Sequence, residues 1–308
     1  MTPELAVSIL MAVVATSTPL LIAALGELVV EKAGVLNLGV EGMMLIGAVT
    51  AFIVASATGV PSLGVLAAAL AAALSSMVFG YLTLTLTANQ VATGLALTIF
   101  GTGVSALLGA SFVGITTGTL GLVFPANLAT DPILRILFGH SPLVYFSLLM
   151  TLGVWWFLSK SRAGLILRAV GESDSSAHSI GYRVIGVRYL AVLFGGAMAG
   201  IAGSYYSLVL TPMWAERLTA GRGWIAIALV VFAAWRPGRL LLGAYLFGAV
   251  ITFELQAKAA GWSFLAPEVL TSLPYLATIL VLALISSRRA SARLAAPACL
   301  AKPFRASA

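Results

Sequence analysis

From Gly42 to Thr130 the chain carries no aspartate, glutamate, lysine or arginine. Soluble domains carry about a quarter charged residues, so a stretch this long without charge has no place on a water-facing surface and belongs in a bilayer. The whole chain agrees: of 308 residues, 60% are hydrophobic and 9% charged, with a mean hydropathy of +1.06. A polytopic membrane protein follows. The excess of Lys and Arg, 17 against 10 acids, would suit either nucleic acid or a membrane surface, and the distribution of those charges favours the membrane. The opening MTPELAVSILMAVV has Glu4 where a signal peptide carries a basic region, so the first apolar run is expected to stay as a span. The single Cys299 cannot form an intrachain disulfide.

A helix needs roughly 20 apolar residues to cross about 30 Å of hydrocarbon. Candidate spans fall at 5–25, 43–58, 62–86, 89–110, 142–158, 188–210, 223–235, 239–257 and 268–286. This predicts an all-α polytopic protein of about nine crossings, within a range of eight to ten. One transmembrane domain covers 1–286, and 287–308 is read as a basic, disordered cytoplasmic tail whose role is topology and lipid contact. Lys and Arg are retained on the cytoplasmic side. Placing 159–187 there collects Lys160, Arg162, Arg168, Arg183, Arg188, Arg236, Arg239 and the basic tail on one side, leaving Arg135, Arg217, Arg222 and Lys258 outside. The Gly-, Thr- and Pro-rich stretch 110–141 reads as an outer loop with a short helix near 132–138.

Signatures of soluble catalysis are missing from the sequence. It has no GxxxxGK[ST], HExxH or GxSxG, and His140 and His178 both lie in loops, so no catalytic residue, metal site or cofactor is expected. The charges that do occur among the spans are concentrated in GELVVEKAGVLNLGVEGMMLIGA, residues 26–48. Glycines spaced in this way break a helix, and a broken helix at membrane depth is tolerated only where protein or a water-filled cavity covers its free backbone. Glu27, Glu31 and Lys32 read equally as an interfacial turn satisfied by solvent. Asn37, Gly39, Glu41 and Gly42 point either to the translocation path or to a lock on the broken helix. ANQVATGLALTIFGTG, residues 88–103, sets Asn89, Gln90, Thr93 and Thr98 either along a hydrophilic pore or in interhelical hydrogen bonds.

In FGGAMAGIAGSYYS the pairs Gly196/Gly200 and Ala199/Gly203 allow close helix packing, and Tyr205 and Tyr206 are expected in the outer aromatic belt. The stretch SRAGLILRAVGESDSSAHSIGYRVIGVRY, residues 161–189, is the longest hydrophilic segment inside. Gly171 breaks the chain there, and Glu172 to Ile180 can form a short surface helix with Ala177 and Ile180 on one side, suited to docking a soluble partner.

Taken in order, GVLNLGVEGMMLIGA, ANQVATGLAL, RAVGESDSSAHSIGYRVIGVRYLAVLFGGAMAGIAG, GRGWIAIALVVFAAWRPGRLLLGAYLFG and SLPYLATILVLAL resemble a bacterial ABC-transporter permease. The resemblance is to the branched-chain amino acid, ribose and nucleoside importer superfamily, in its nucleoside or simple-sugar branch, over about residues 15–285. It implies a type II, vitamin B12-importer-like fold in a bacterial plasma membrane, with the C-terminus cytoplasmic. The implied partners are a cytoplasmic ABC ATPase, a second permease subunit (a copy or a paralogue), and an extracytoplasmic substrate-binding lipoprotein. ATP hydrolysis would belong to the ATPase chain. On this mapping Gly171 and Glu172 begin the coupling helix, Ser173 or Asp174 caps it, and Ala177 lies within it. Gly181 ends it. The family's usual Gly-Glu-Asn-Pro-like start is replaced here by Ser173 and Asp174. Residues 26–48 become the broken helix shaping the pore, and Gly221, Arg222 and Gly223 fall at the outer mouth. The rival expectation is a stand-alone, ion-coupled secondary transporter using Glu41 and Glu254 as proton carriers.

Overall fold

The computed structural model describes residues 3–125, 131–261 and 296–305, with scattered helical positions between 268 and 283. The described residues form helices α1 (Pro3–Lys32), α2 (Val40–Thr58), α3 (Pro61–Gly80), α4 (Gln90–Gly109), α5 (Pro132–Phe138) and α6 (Pro142–Lys160). They continue as α7 (Arg162–Glu172), α8 (Asp174–Ser179), α9 (Val184–Tyr205), α10 (Arg222–Phe232) and α11 (Pro237–Ala259). Isolated bridges, Val113 to Trp214 and Thr116 to Met213, tie the segments after α4 and α9 together.

Among the described residues, seven helices are long and apolar enough to cross a membrane: α1, α2, α3, α4, α6, α9 and α11. They coincide with seven of the nine spans expected. The span expected at 223–235 becomes α10, whose 11 residues reach about 16 Å, too short to cross alone. Of that expected at 268–286, about half of the positions lie outside the described residues.

Helix α1 is buried without a break from Leu20 to Glu31, the mark of a central helix with no polar face. It packs on α9, α10 and α11, and Thr16 meets Thr252 of α11 at 2.8 Å. Small residues set the other contacts. A Cβ at Gly101 would lie 2.5 Å from the Gly42 carbonyl oxygen, and one at Gly47 would lie 2.5 Å from the Gly200 Cα, so α2 meets α4 and α9 backbone to backbone. Gly196 and Gly200 face Ser76, Ala72 and Ala68 of α3. The expected outer aromatic belt is corrected: Tyr205 and Tyr206 are buried. A π-helical turn at Tyr206–Leu210 follows α9, and Arg222 at the start of α10 stacks 5.2 Å from the Tyr206 ring.

Candidate functional site

The break after α1 organises the centre of the molecule. Gly34, at φ 88°, takes the left-handed conformation that reverses the chain, and Val35 N–H donates back to the Val30 carbonyl at 3.2 Å, a glycine-capped helix end. Residues 36–39 then run back along α1 without helical bonds of their own. Side chains satisfy their backbone instead, as non-helical backbone inside a membrane requires. Leu36 N–H donates to Gln90 Oε1 at 2.8 Å, Asn37 N–H to Glu27 Oε1 at 3.0 Å, and Gly39 N–H to Asn37 Oδ1 at 2.9 Å. Thr98 Oγ1 donates to the Leu38 carbonyl at 3.0 Å.

Glu27 and Glu31 therefore do not form an interfacial turn open to solvent. Each is 1% exposed, because one turn of α1 carries both toward the returning segment. Glu31 Oε2 accepts from the Trp235 indole N–H at 2.6 Å. Its Oε1 and the Glu27 Oε2 accept no hydrogen bond among the described residues, and Gln90 Nε2 likewise finds no acceptor.

Glu41, in the first turn of α2, is fully engaged. Its Oε1 accepts from Thr219 Oγ1 at 2.5 Å and from Gly221 N–H at 2.8 Å, and its Oε2 from Gly223 N–H at 2.6 Å. Gly221 and Gly223 bracket the N-terminus of α10, so the carboxylate caps a second helix while standing in the first turn of its own. Both macrodipoles favour the negative charge there. Reaching it requires a contorted loop, with Arg217, Ala220 and Gly221 all at positive φ. Gly221, Arg222 and Gly223, expected at the outer mouth, stand at the start of α10, where the loop before that helix meets Glu41.

The polar candidates thus divide. Asn37, Gly39, Glu41, Gly42 and Gln90 converge on the break. Asn89 is exposed and serves as the N-cap of α4, accepting from Ala92 N–H at 3.0 Å, and Thr93 is half-buried in the next turn. Glu254 is engaged elsewhere, paired with Lys258 on α11 at 2.7 Å.

In the hydrophilic segment the chain breaks two residues later than expected. Gly171 is buried in the last turn of α7, where an added Cβ would strike the Lys32 carbonyl oxygen, and Glu172 ends that helix exposed. The interruption falls at Ser173, φ −150° and ψ 96°, whose hydroxyl caps α8 by accepting from Ser176 N–H. Gly181, at φ 93°, turns the chain toward α9. Ala177 and Ile180 do not share a side: Ala177 is buried with Val170 and Val184, while Ile180 is 70% exposed. Beside it Tyr182 is also exposed, so the free surface of this turn is part apolar.

Two components were not legible as site residues. Arg188 of α9 is 1% exposed. Its Nη2 pairs with Asp174 Oδ2 of α8 at 3.1 Å, its Nε donates to the Ala33 carbonyl at 3.1 Å, and its Nη1 donates to the Lys302 carbonyl at 3.3 Å. One guanidinium thus joins the short surface helix, the start of the break and the C-terminal tail. The tail is the second component, and its reading as disordered is corrected for residues 296–305. Cys299 N–H donates to the Gly171 carbonyl at 2.9 Å, and Phe304 packs edge-on against His178 and beside Ala177.

Comparison with known proteins gives this arrangement a context. A model of the family described as "Branched-chain amino acid transport system / permease component" matches residues 9–285. A Haloferax volcanii protein, provisionally named a glucose ABC transporter permease, is 40% identical over 97% of this chain and 98% of its own. A nucleoside ABC transporter permease of Lactococcus lactis is 29% identical over 87% of this chain and 89% of its own. A guanosine ABC transporter permease of Bacillus subtilis is 29% identical over 86% and 88%. No solved structure gives a significant match.

Proposed function

The chain belongs to the branched-chain amino acid transport system permease family, and from that membership we propose that it is the pore-forming subunit of an ATP-driven importer for neutral, sugar-containing solutes. The solutes named for its relatives are glucose, nucleosides and guanosine. They share a ring bearing several hydroxyls, and that shared chemistry sets the class proposed here. The ion-coupled alternative draws no support from these relatives. Of its two carriers, Glu41 is already held by three donors and Glu254 is paired with Lys258.

The observation that carries the mechanism is the Arg188 junction. In this reading α8 and the exposed Ile180 and Tyr182 form the surface on which a cytoplasmic ATPase seats, with Ser173 and Asp174 starting the coupling helix and Gly181 ending it. Movement of α8 pulls on Asp174, and Arg188 passes the displacement to Ala33, the first residue of the break. The returning segment with Asn37, Gly39 and Gln90 then shifts against α4, while the Glu41 lock keeps α2 and α10 moving together. In the complete type II pore a second permease chain would supply the other half. Nine crossings follow when α10 acts as a half-length span and 268–286 as the last. A lipoprotein would deliver the solute from outside, and the basic end of the bundle would face the cytoplasm.

The test is uptake of labelled glucose and of labelled guanosine by cells of the source organism, with and without this gene, beside affinity capture of its partners. The reading expects ATP-dependent uptake of at least one solute, lost on deletion, and recovery of an ABC ATPase with the tagged chain. Uptake that persists after ATP depletion and follows the proton gradient would overturn it.

A further inference from the structure

At the basic end of the bundle a hollow of about 630 Å³ opens between the ends of α1, α7 and α10 and the start of α11. Lys32, Arg168, Arg236 and Arg239 line it, against a single lining acid, Glu172, among the described residues. A second hollow of about 510 Å³ shares all four cations and extends to Trp155 and Ser159 near the end of α6, so the two form one cationic recess. No ion pair engages Arg168, Arg236 or Arg239 among the described residues. Their guanidinium groups suit phosphate oxygens, which they can bind in bidentate fashion.

The first turn of the 23-residue α11 forms part of the same wall. It has no side-chain cap at Arg236 and carries Pro237 at its start. A Cβ at Gly238 would meet nothing, so the positive end of the helix is open toward the recess and adds to the four cations.

The height of the recess in the bundle indicates what fills it. Trp155 and Trp156 are 50% and 58% exposed, and exposed tryptophans of this kind sit at headgroup level. Leu152 of α6 and Leu242 of α11, each one turn deeper, are 64% and 72% exposed and suited to acyl chains. We propose that this recess binds the phosphate headgroup of an anionic membrane phospholipid. Basic pockets between membrane helices at their cytoplasmic ends take such headgroups, and the volume suits a headgroup with its glycerol. Lipid bound there would brace α7, which carries Arg168 and leads into α8, against α11. This assignment holds independently of which solute the protein carries.

The experiment is native mass spectrometry and thermal unfolding of the full-length protein in detergent. Phosphatidylglycerol, phosphatidylcholine or inorganic phosphate is added in turn. Wild type should retain phosphatidylglycerol about tenfold more tightly than phosphatidylcholine, a difference of about 1.4 kcal/mol, and the preference should shrink as salt rises. Arg236→Gln with Arg239→Gln should bring the two lipids to within about twofold. The charge-keeping pair Arg236→Lys and Arg239→Lys should keep most of the preference and guards against a misfolded glutamine variant. Equal retention of both lipids by wild type, or an undiminished preference in the glutamine variant, overturns the proposal. So does inorganic phosphate that displaces the lipid and stabilises equally well, which would mark a free-anion site. Loss of ATPase capture in the glutamine variant, with no lipid preference in wild type, would assign the recess to an acidic protein surface instead.

Discussion

Two buried acids near the break make opposite demands. Glu41 spends both oxygens on three donors, two of them backbone N–H groups at the start of α10, and an amide cannot replace it without setting its own N–H against one of them. Each charge-assisted bond lost costs about 1.5–3 kcal/mol, so Glu41→Gln should clearly lower the unfolding temperature of the detergent-purified protein. Glu31 differs, because only Oε2 has a partner and Oε1 has none. Glu31→Gln keeps the acceptor for the Trp235 indole and removes an ionisable group whose charged form is expensive to desolvate in an apolar interior. Its unfolding temperature should match or exceed wild type in the same assay. The reverse ranking would contradict the assignment of Glu41 as the lock between α2 and α10.

At the scale of elements, packing depends on contacts that admit no side chain and on one that needs a particular side chain. Helices α2 and α4 cross at Gly42 and Gly101, and Gly101→Ala would drive a methyl into the Gly42 backbone. Overpacking of this kind costs about 1–3 kcal/mol. The variant should unfold at lower temperature and transport more slowly, while Gly103→Ala, where a Cβ meets nothing, should behave as wild type. Arg188 joins three elements through three nitrogens. Removing one member of a buried pair costs about 3 kcal/mol or more, so Arg188→Gln should lower stability as well as coupling. Arg188→Lys is the sharper test: it keeps the charge, but a single ammonium cannot span Ala33, Asp174 and Lys302 together. It should insert normally and still capture the ATPase, yet lose most transport per ATP hydrolysed. Unchanged coupling in the lysine variant would remove Arg188 from the relay.

Across the whole molecule, residues 296–305 pack against α7, α8 and α9. Cys299 bonds to Gly171, Lys302 to Arg188 and Phe304 packs on His178. Truncation after residue 295 should leave membrane insertion intact, because the apolar helices lie upstream, but loosen α8. Hydrogen exchange of residues 172–182 reads this directly: protection should fall in the truncated chain and stay unchanged elsewhere. Equal protection in both would show that α8 holds its place without the tail.

The sequence by itself determined the membrane class, the positions of seven long helices, a helix break within residues 26–48 and the presence of a short surface helix in the 161–189 stretch. Each of these is written locally. A helix that crosses a bilayer must be a continuous apolar run, and a glycine that must adopt positive φ, such as Gly34, stands at the turn it makes. The tertiary structure alone decided which polar residue answers which. The partners of Glu41 come from a loop 178 to 182 residues away, and those of Arg188 from positions 155 residues before it and 114 after it. No local pattern distinguishes a buried acid that caps a distant helix from one that faces water, so Glu31 read as interfacial and Arg188 as one more cytoplasmic charge. The basic tail likewise carried the composition of a disordered segment, and the carbonyls it meets on α7 and α9's arginine exist as a surface only once the helices have packed. Backbone groups that must be satisfied inside a membrane recruit side chains from wherever the fold brings them, which is why the helices could be read along the chain and the site could not.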